Sequence, residues 1–257
     1  MMQKGSLRNN KAYLAIIIFV VFVFCFLTIS FESVSQDRPD PITHCFDDVA
    51  KHTVLLIDQT DSLSDRCCLQ LQKLIEQLAD ETLVNDKLSI YTIEANSDID
   101  FKAKFSSCNP GSYANEWLEN VKLKIETYEK HFLNRIQSVE SGVINAPVSD
   151  LSPIIETVNR VAEMEGFNHR VPNRKLIVFS DMLQNSYNCS DYPKCKEKLV
   201  DPLAGGCPDL LSLANVEVAV YYVVRPELKH LQSQNHFDRW KYWLESVGAT
   251  VSMRRIQ

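Results

Sequence analysis

Residues 53–64, which read T-V-L-L-I-D-Q-T-D-S-L-S, decide the fold of this chain. Four apolar residues at 54–57 run directly into Asp58, and hydroxyl side chains follow at Thr60 and Ser62. A short apolar run that ends in polar residues is typical of a buried parallel strand. Ligands of open α/β sheets bind at the carboxyl ends of such strands. The stretch therefore predicts a strand that carries Asp58 to the carboxyl edge of a parallel sheet.

The loop after this strand has residues of the types that bind a small divalent cation. The spacing Asp58-x-Thr60-x-Ser62 places one carboxylate and two hydroxyls close together, with Asp61 between the hydroxyls. Such hard oxygen ligands suit Mg²⁺ or Mn²⁺. The same residue types also cap helices without any metal, because their oxygens accept hydrogen bonds from free backbone N–H groups. This stretch alone leaves both interpretations open.

Length, charge and motifs favour a binding protein over an enzyme. A chain of 257 residues is long enough for one α/β domain with its own core and an N-terminal extension. Its net charge of −6 gives no basic field for nucleic acid. The sequence contains no P-loop, GxGxxG or GxSxG motif, and its six histidines show no ligand spacing. A phosphotransferase of the haloacid dehalogenase type would need a second Asp where Thr60 stands. We therefore predict no enzymatic activity and no small-molecule substrate.

An apolar segment precedes the domain. Residues 12–30 carry no charge and have about the length of a helix that crosses a bilayer. Basic residues precede the segment and mainly acidic residues follow it, so the positive-inside rule predicts a cytoplasmic N-terminus and an extracytoplasmic domain, periplasmic in a bacterium. A cleaved signal peptide is the alternative, because Ser33-Val34-Ser35 has the small-x-small pattern of a cleavage site. We interpret the chain as a cytoplasmic tail (1–11), an uncleaved transmembrane signal-anchor (12–30), a linker (31–50) and a domain (51–257).

Seven cysteines follow the apolar segment, which predicts disulfide bonds in an oxidising compartment. Because seven is odd, one thiol is either free or joined to another chain. The neighbours Cys67 and Cys68 are expected to reach different partners. A local bridge is expected among Cys189, Cys195 and Cys207. No paired CxxC motif favours zinc.

Strand and helix patterns alternate along the rest of the chain. The apolar patterns predict strands at residues 54–58, 87–93, 174–182, 215–224 and 250–256, with the last at an edge. They predict helices at residues 63–81, 115–139, 154–164 and 236–247, and a loop at 97–111. Ser149 or Asp150 is expected to cap the third helix. Such alternation predicts an α/β fold: a doubly wound, mostly parallel sheet with helices on both faces.

Two predicted strands that end in Asp, the first followed by a DxTxS loop, resemble the von Willebrand factor A (vWA) domain and its metal-ion-dependent adhesion site (MIDAS). The family motif DxSxS is matched by Asp58, Thr60 and Ser62. Its third element, an Asp after a buried strand, is matched by Asp181 in I-V-F-S-D. The resemblance covers residues 50–257 and implies the vWA or Rossmann-like form of the doubly wound sheet.

The middle element of the family site is a Thr before a helix. Its best match is Ser149 in V-S-D-L-S, with Asp150 and Ser152 as alternatives. The resemblance thus implies a metal site that holds Mg²⁺ or Mn²⁺ through Asp58, Thr60, Ser62, Ser149 and Asp181.

In the family such an ion keeps an open position for a carboxylate of a partner protein. The resemblance therefore implies a membrane-anchored protein-binding module. The alternative is a structural subunit of an envelope complex, of the secretion or conjugation type, with a vestigial metal site. A hydrolase that uses the same metal to activate water is a third interpretation. The cysteine-rich segment 187–207 follows Asp181 and is expected on the same face of the sheet.

Overall fold

The computed structural model describes residues 39–59, 63–95, 101–112, 120–144, 148–187, 189–192 and 207–257. The predicted tail and signal-anchor, residues 1–11 and 12–30, lie outside the described residues, as do Thr60, Asp61 and Ser62. Among the helices of the described ranges, none combines the length and the apolar character that a membrane crossing requires.

The sheet has the apolar stretch before Asp58 at its centre. Its strands are β1 (Lys51–Asp58), β2 (Lys87–Ile93), β3 (Phe105–Cys108), β4 (Asn173–Ser180), β5 (Val216–Val223) and β6 (Thr250–Ile256). They lie in the order β3-β2-β1-β4-β5-β6, and all neighbours are parallel except β2 and β3. The chain builds outward from β1 on one side and then on the other, which defines a doubly wound sheet. The predicted fold class is confirmed, and β6 lies at an edge as expected.

The edge strand β3 replaces part of the loop that the sequence predicts at residues 97–111. It pairs antiparallel with β2. Its four residues, F-S-S-C, are too few to show an alternating pattern. A disulfide from Cys45 to Cys108 and a hydrogen bond from the Cys108 N–H to the Thr43 carbonyl (2.7 Å) hold it from outside. Residues 39–50, which belong to the predicted linker, are thereby fastened to the edge of the sheet.

Helices cover both faces of the sheet, as predicted. They are α1 (Asp65–Glu81), α2 (Val121–Tyr128), α3 (Asn134–Ile144), α4 (Ile154–Glu163) and α5 (Gln234–Ser246), and a π-helical turn, Glu129–Leu133, joins α2 to α3. Strand side chains alternate between faces. Val54 and Leu56 therefore pack with α4 and α5, whereas Leu55 and Ile57 pack with α1 and α3. Full burial of each such side chain contributes about 1.5–3 kcal/mol.

The start of α4 differs from the prediction. The N-cap residue is Pro153, which makes no side-chain capping bond, so neither Ser149 nor Asp150 caps this helix. The side-chain oxygen of Gln184 instead accepts a hydrogen bond from the backbone N–H of Ile155 (3.0 Å). A cap supplied from a distant segment leaves no local sequence signal.

The disulfide pattern confirms one expectation and contradicts another. Cys189 is bonded to Cys207, which is the local bridge expected in the cysteine-rich segment. Cys67 and Cys68 are free thiols at the start of α1, so the expectation that they reach different partners is wrong. Cys195 lies outside the described residues.

Candidate functional site

Asp58 lies at the carboxyl end of the central strand and is buried, with 4% of its surface exposed. Two serine hydroxyls donate to the same carboxylate oxygen, Oδ2: Ser152 Oγ at 3.0 Å and Ser180 Oγ at 2.6 Å. Ser180 is the last residue of β4, the parallel neighbour of β1, and Ser152 precedes α4. The sheet register and the approach to α4 therefore bring both hydroxyls to Asp58.

Asp181 follows β4 at the same edge and is also buried, with 1% exposed. Its Oδ1 accepts a hydrogen bond from the Leu183 N–H (2.9 Å), and its Oδ2 accepts one from Arg225 Nε (2.7 Å). The chain turns sharply here, because Met182 has a φ of 60°. Side-chain acceptors at the turn satisfy backbone donors two residues ahead, a common device of Asp and Ser in turns.

Arg225 reaches this edge from the segment after β5. Its backbone N–H donates to Gln232 Oε1 (2.7 Å). Gln232 Nε2 in turn donates to the carbonyl oxygens of Asp181 (2.9 Å) and Val223 (2.8 Å). Gln232 thus fixes the two chain segments that carry the buried Asp181–Arg225 ion pair.

The electrostatics of the site follow from burial. Loss of hydration raises the pKa of Asp181 to about 7, and the negative charge of Asp58 acts in the same direction, whereas Arg225 opposes the shift. Desolvation disfavours the charged form of any buried carboxyl. With both carboxylates ionised, these two and the guanidinium carry one net negative charge.

Ser149 joins three loops. Its N–H donates to the Gln59 carbonyl (2.8 Å), and its Oγ accepts from the Ala95 N–H (2.9 Å) and donates to the Leu151 carbonyl (3.0 Å). It therefore ties the chain after β1 to the chain after β2 and to the approach to α4. The serine hydroxyl of this loop that reaches Asp58 is that of Ser152, which the sequence gives as an alternative to Ser149.

The donor set around Asp58 fits a hard divalent cation. One carboxylate and two hydroxyls supply oxygen ligands of the kind that Mg²⁺ prefers. In the parts of the chain that the structure describes, no group of three or more His, Cys, Asp or Glu residues is suited to a metal. Among the described residues, the neutral oxygens beside Asp58 are the hydroxyls of Ser152 and Ser180, and the predicted motif likewise uses hydroxyl ligands. Thr60 and Ser62 remain predicted ligands, because they lie outside the described residues.

The chain directly after Asp181 adjoins the site, and the expected position of the cysteine-rich segment, residues 187–207, stays a prediction. Ser152 and Asn185 exchange both backbone hydrogen bonds (2.7 and 2.9 Å), so the segment after Asp181 lies beside Ser152. Further along, Asp191 accepts hydrogen bonds from the Gln184 N–H (3.0 Å) and from Arg239 Nη2 (3.1 Å). Residues 193–206 lie outside the described residues.

Three residues of this region, Ser180, Arg225 and Gln232, are not predicted from the sequence. Ser180 had a signal, because it immediately precedes Asp181 in I-V-F-S-D and ends the same apolar run. Arg225 and Gln232 had none, since each reaches Asp181 through the fold across more than forty residues of chain.

The known proteins that are similar to this chain are solved structures. No family model matches it, and no curated protein matches it. Solved structures similar to it include the VWA domain of SpRpn10, at 9% identity and a TM-score of 0.37, with 81% of this chain and 90% of that chain covered. Another is the conserved hypothetical protein BatB from Bacteroides thetaiotaomicron, at 15% identity and a TM-score of 0.36, with 80% of this chain and 90% of that chain covered.

At these TM-scores the likeness carries no argument about the site. The class rests on the chain's own strand order, which is that of a six-stranded, mostly parallel, doubly wound α/β sheet.

Proposed function

We propose that this chain is a membrane-anchored, extracytoplasmic protein-binding module that holds a divalent cation, Mg²⁺ or Mn²⁺, at Asp58. The observation that carries the proposal is the buried Asp58 carboxylate with two serine hydroxyls on one of its oxygens, at the edge of the sheet where ligands of α/β proteins bind. The apolar residues 12–30 support the anchored part of the proposal.

Each residue has a distinct task in this proposal. Ser152 and Ser180 orient the Asp58 carboxylate and add neutral oxygen ligands, which leave the charge of a cation largely uncompensated. Thr60 and Ser62 complete the ligand set from the adjoining loop. A bound cation supplies an open coordination position, which takes a carboxylate of the partner protein.

Partner choice, in this proposal, comes from the segment that adjoins the site. The Cys189–Cys207 bridge constrains this segment, and the backbone pairing of Ser152 with Asn185 fixes the chain that leads into it. Binding rather than turnover is favoured, because the sequence has no nucleophile elbow or phosphate-binding loop.

One observation favours the structural alternative. The buried Asp181–Arg225 pair already places a positive charge beside one of the two carboxylates. A subunit that packs permanently into an envelope complex needs no metal, and an internal ion pair would then serve in its place.

The test is calorimetric titration of Mg²⁺ and Mn²⁺ into the full chain in detergent micelles. We expect the wild type to bind and Asp58→Asn to lose binding. The double variant Thr60→Ala, Ser62→Ala should also lose binding, because it removes the two predicted loop hydroxyls. Asp48→Asn is the matched control: this carboxylate is exposed and precedes β1, at the opposite end of the strand from Asp58, and its loss should leave the affinity unchanged.

Two results would decide against the metal site. Absence of binding in the wild type favours the structural alternative. Equal binding by Asp58→Asn and the wild type would place any cation elsewhere on the protein.

A further inference from the structure

The two carboxylates at the candidate site differ in what compensates their charge. Asp58 accepts hydrogen bonds from the neutral hydroxyls of Ser152 and Ser180. Asp181 accepts one from the guanidinium of Arg225, a side chain that is 8% exposed. The predicted metal motif uses the negative charges of Asp58 and Asp181. At Asp181 that charge is already paired with the guanidinium of Arg225.

This placement opposes a metal ion at Asp181. Like charges repel strongly in a buried site, because little water is present to screen them. A divalent cation that approaches Asp181 meets a guanidinium whose Nε lies 2.7 Å from the carboxylate. Gln232 holds the backbone of both partners, so the pair cannot separate by a simple shift of either segment.

We propose that Arg225 sets the metal affinity of this site. Its guanidinium pairs with Asp181, so a divalent ion binds at Asp58 alone. That ion binds weakly until the guanidinium is displaced. Arg225 is then a determinant of cation affinity rather than a ligand. This inference rests on the proposed metal site at Asp58.

A cavity of about 320 Å³ adjoins Arg225. It is lined by Ser64 and Cys67 at the start of α1 and, on the segment that follows Arg225, by Glu227 and Lys229. The cavity gives the displaced guanidinium room away from Asp181, and the carboxylate of Glu227 offsets the charge of Lys229 there. Occupation of both carboxylates by metal would thus be coupled to movement of Arg225 into this space.

The test compares Mn²⁺ affinity in the full chain in detergent micelles, measured by calorimetry, with thermal unfolding as a second readout. We expect Arg225→Gln to bind Mn²⁺ about tenfold more tightly or better, because one neighbouring charge shifts the proton affinity of a carboxyl by about one to three powers of ten. Without metal this variant should unfold at a lower temperature than the wild type, and Mn²⁺ should raise its midpoint by more.

Two variants serve as controls. Arg225→Lys keeps a positive charge near Asp181 and should bind as the wild type does. Arg239→Gln breaks a different Arg–Asp pair, with Asp191 (3.1 Å), and should leave the affinity unchanged.

A further variant keeps the test decisive if Arg225→Gln does not fold. The double change Arg225→Gln, Asp181→Asn removes both charges of the pair and leaves no unpaired carboxylate. It should bind Mn²⁺ as the wild type does, and a marked weakening would overturn the inference, because Asp181 would then be a ligand despite Arg225.

The outcomes separate this inference from the proposed function. Binding by Arg225→Gln that is tighter than wild-type binding supports the inference. Equal affinities overturn the inference and leave the metal site in place. Absence of binding in both proteins overturns the metal site and, with it, the inference.

Discussion

Asp58 ends β1 and Asp181 directly follows β4, its parallel neighbour, and both are buried, yet their surroundings differ. The hydroxyls of Ser152 and Ser180 bind the Asp58 carboxylate, whereas a guanidinium binds that of Asp181. Neutral donors orient a carboxylate without cancelling its charge, and a guanidinium cancels it. A carboxylate at the carboxyl edge of a sheet is therefore not available to a cation by its position alone. The loops after the neighbouring strands decide its availability, because they supply the donors that surround it.

The largest expected difference between the two residues is in stability. Asp181→Ala should lower the free energy of unfolding by about 3–5 kcal/mol, because it removes the buried carboxylate that binds the Arg225 guanidinium. Asp58→Ala should cost less, about 1–3 kcal/mol, because the hydroxyls of Ser152 and Ser180 that lose their acceptor are neutral donors. Urea denaturation of the disulfide-intact chain at neutral pH measures both. Equal losses of unfolding free energy in Asp58→Ala and Asp181→Ala would contradict the expected difference between the two residues. The double variant Asp181→Ala, Arg225→Leu should be more stable than Asp181→Ala, since it removes both buried charges of the pair.

The ionisation of Asp181 makes the stability of the protein depend on pH. The pKa of Asp181 is raised from 3.8 to about 7 in the folded protein. A raised pKa means that the folded state holds the proton more tightly than the unfolded state does. The resulting stability is fully present below about pH 4 and is lost as the pH rises through about 7.

We therefore expect the wild type to lose stability relative to Asp181→Asn as the pH rises from about 4 to about 7. One pKa unit corresponds to about 1.4 kcal/mol, so the change is on the order of a few kcal/mol. Burial lowers the pKa of His52 to about 4 and removes stability as the pH falls, but this acts in both proteins and cancels in their difference. A stability difference that stays constant with pH would contradict the raised pKa.

The smallest effects concern the two hydroxyls at Asp58. Ser180→Ala should cost about 1–3 kcal/mol, because Ser180 Oγ also accepts a hydrogen bond from the Met182 N–H (2.8 Å). Ser152→Ala removes only the bond to Asp58 and should cost about 1 kcal/mol. Ser141→Ala on the exposed face of α3 is the control and should change stability by less than about 0.5 kcal/mol. Thermal unfolding of the three variants gives the order, and a Ser152→Ala loss larger than that of Ser180→Ala would reverse it.

The sequence predicts the parts of this arrangement that depend on local pattern. The apolar runs before Asp58 and Asp181 predict two buried strands. Parallel strands share one carboxyl edge, so the two carboxylates are expected to lie close together. The helices on both faces are predicted from apolar spacing in the same way.

The remaining features depend on contacts between distant segments. Arg225 stands before a proline in an ordinary loop sequence, and only the order of the strands brings it to Asp181. Gln184 caps α4 from another loop, which removes the capping task that local spacing assigns to Ser149. Ser152 and Ser149 are both plausible hydroxyls in V-S-D-L-S, and only the path of the backbone decides which of them reaches Asp58.

The most direct test of the central claim is a crystal of the protein soaked in Mn²⁺, with the metal located by its anomalous scattering. We predict one anomalous peak for Mn²⁺, in coordination contact with Asp58 and the hydroxyls beside it, with Arg225 still bonded to Asp181. A peak at Asp181 in the place of the guanidinium, or no peak at this edge of the sheet, would contradict it.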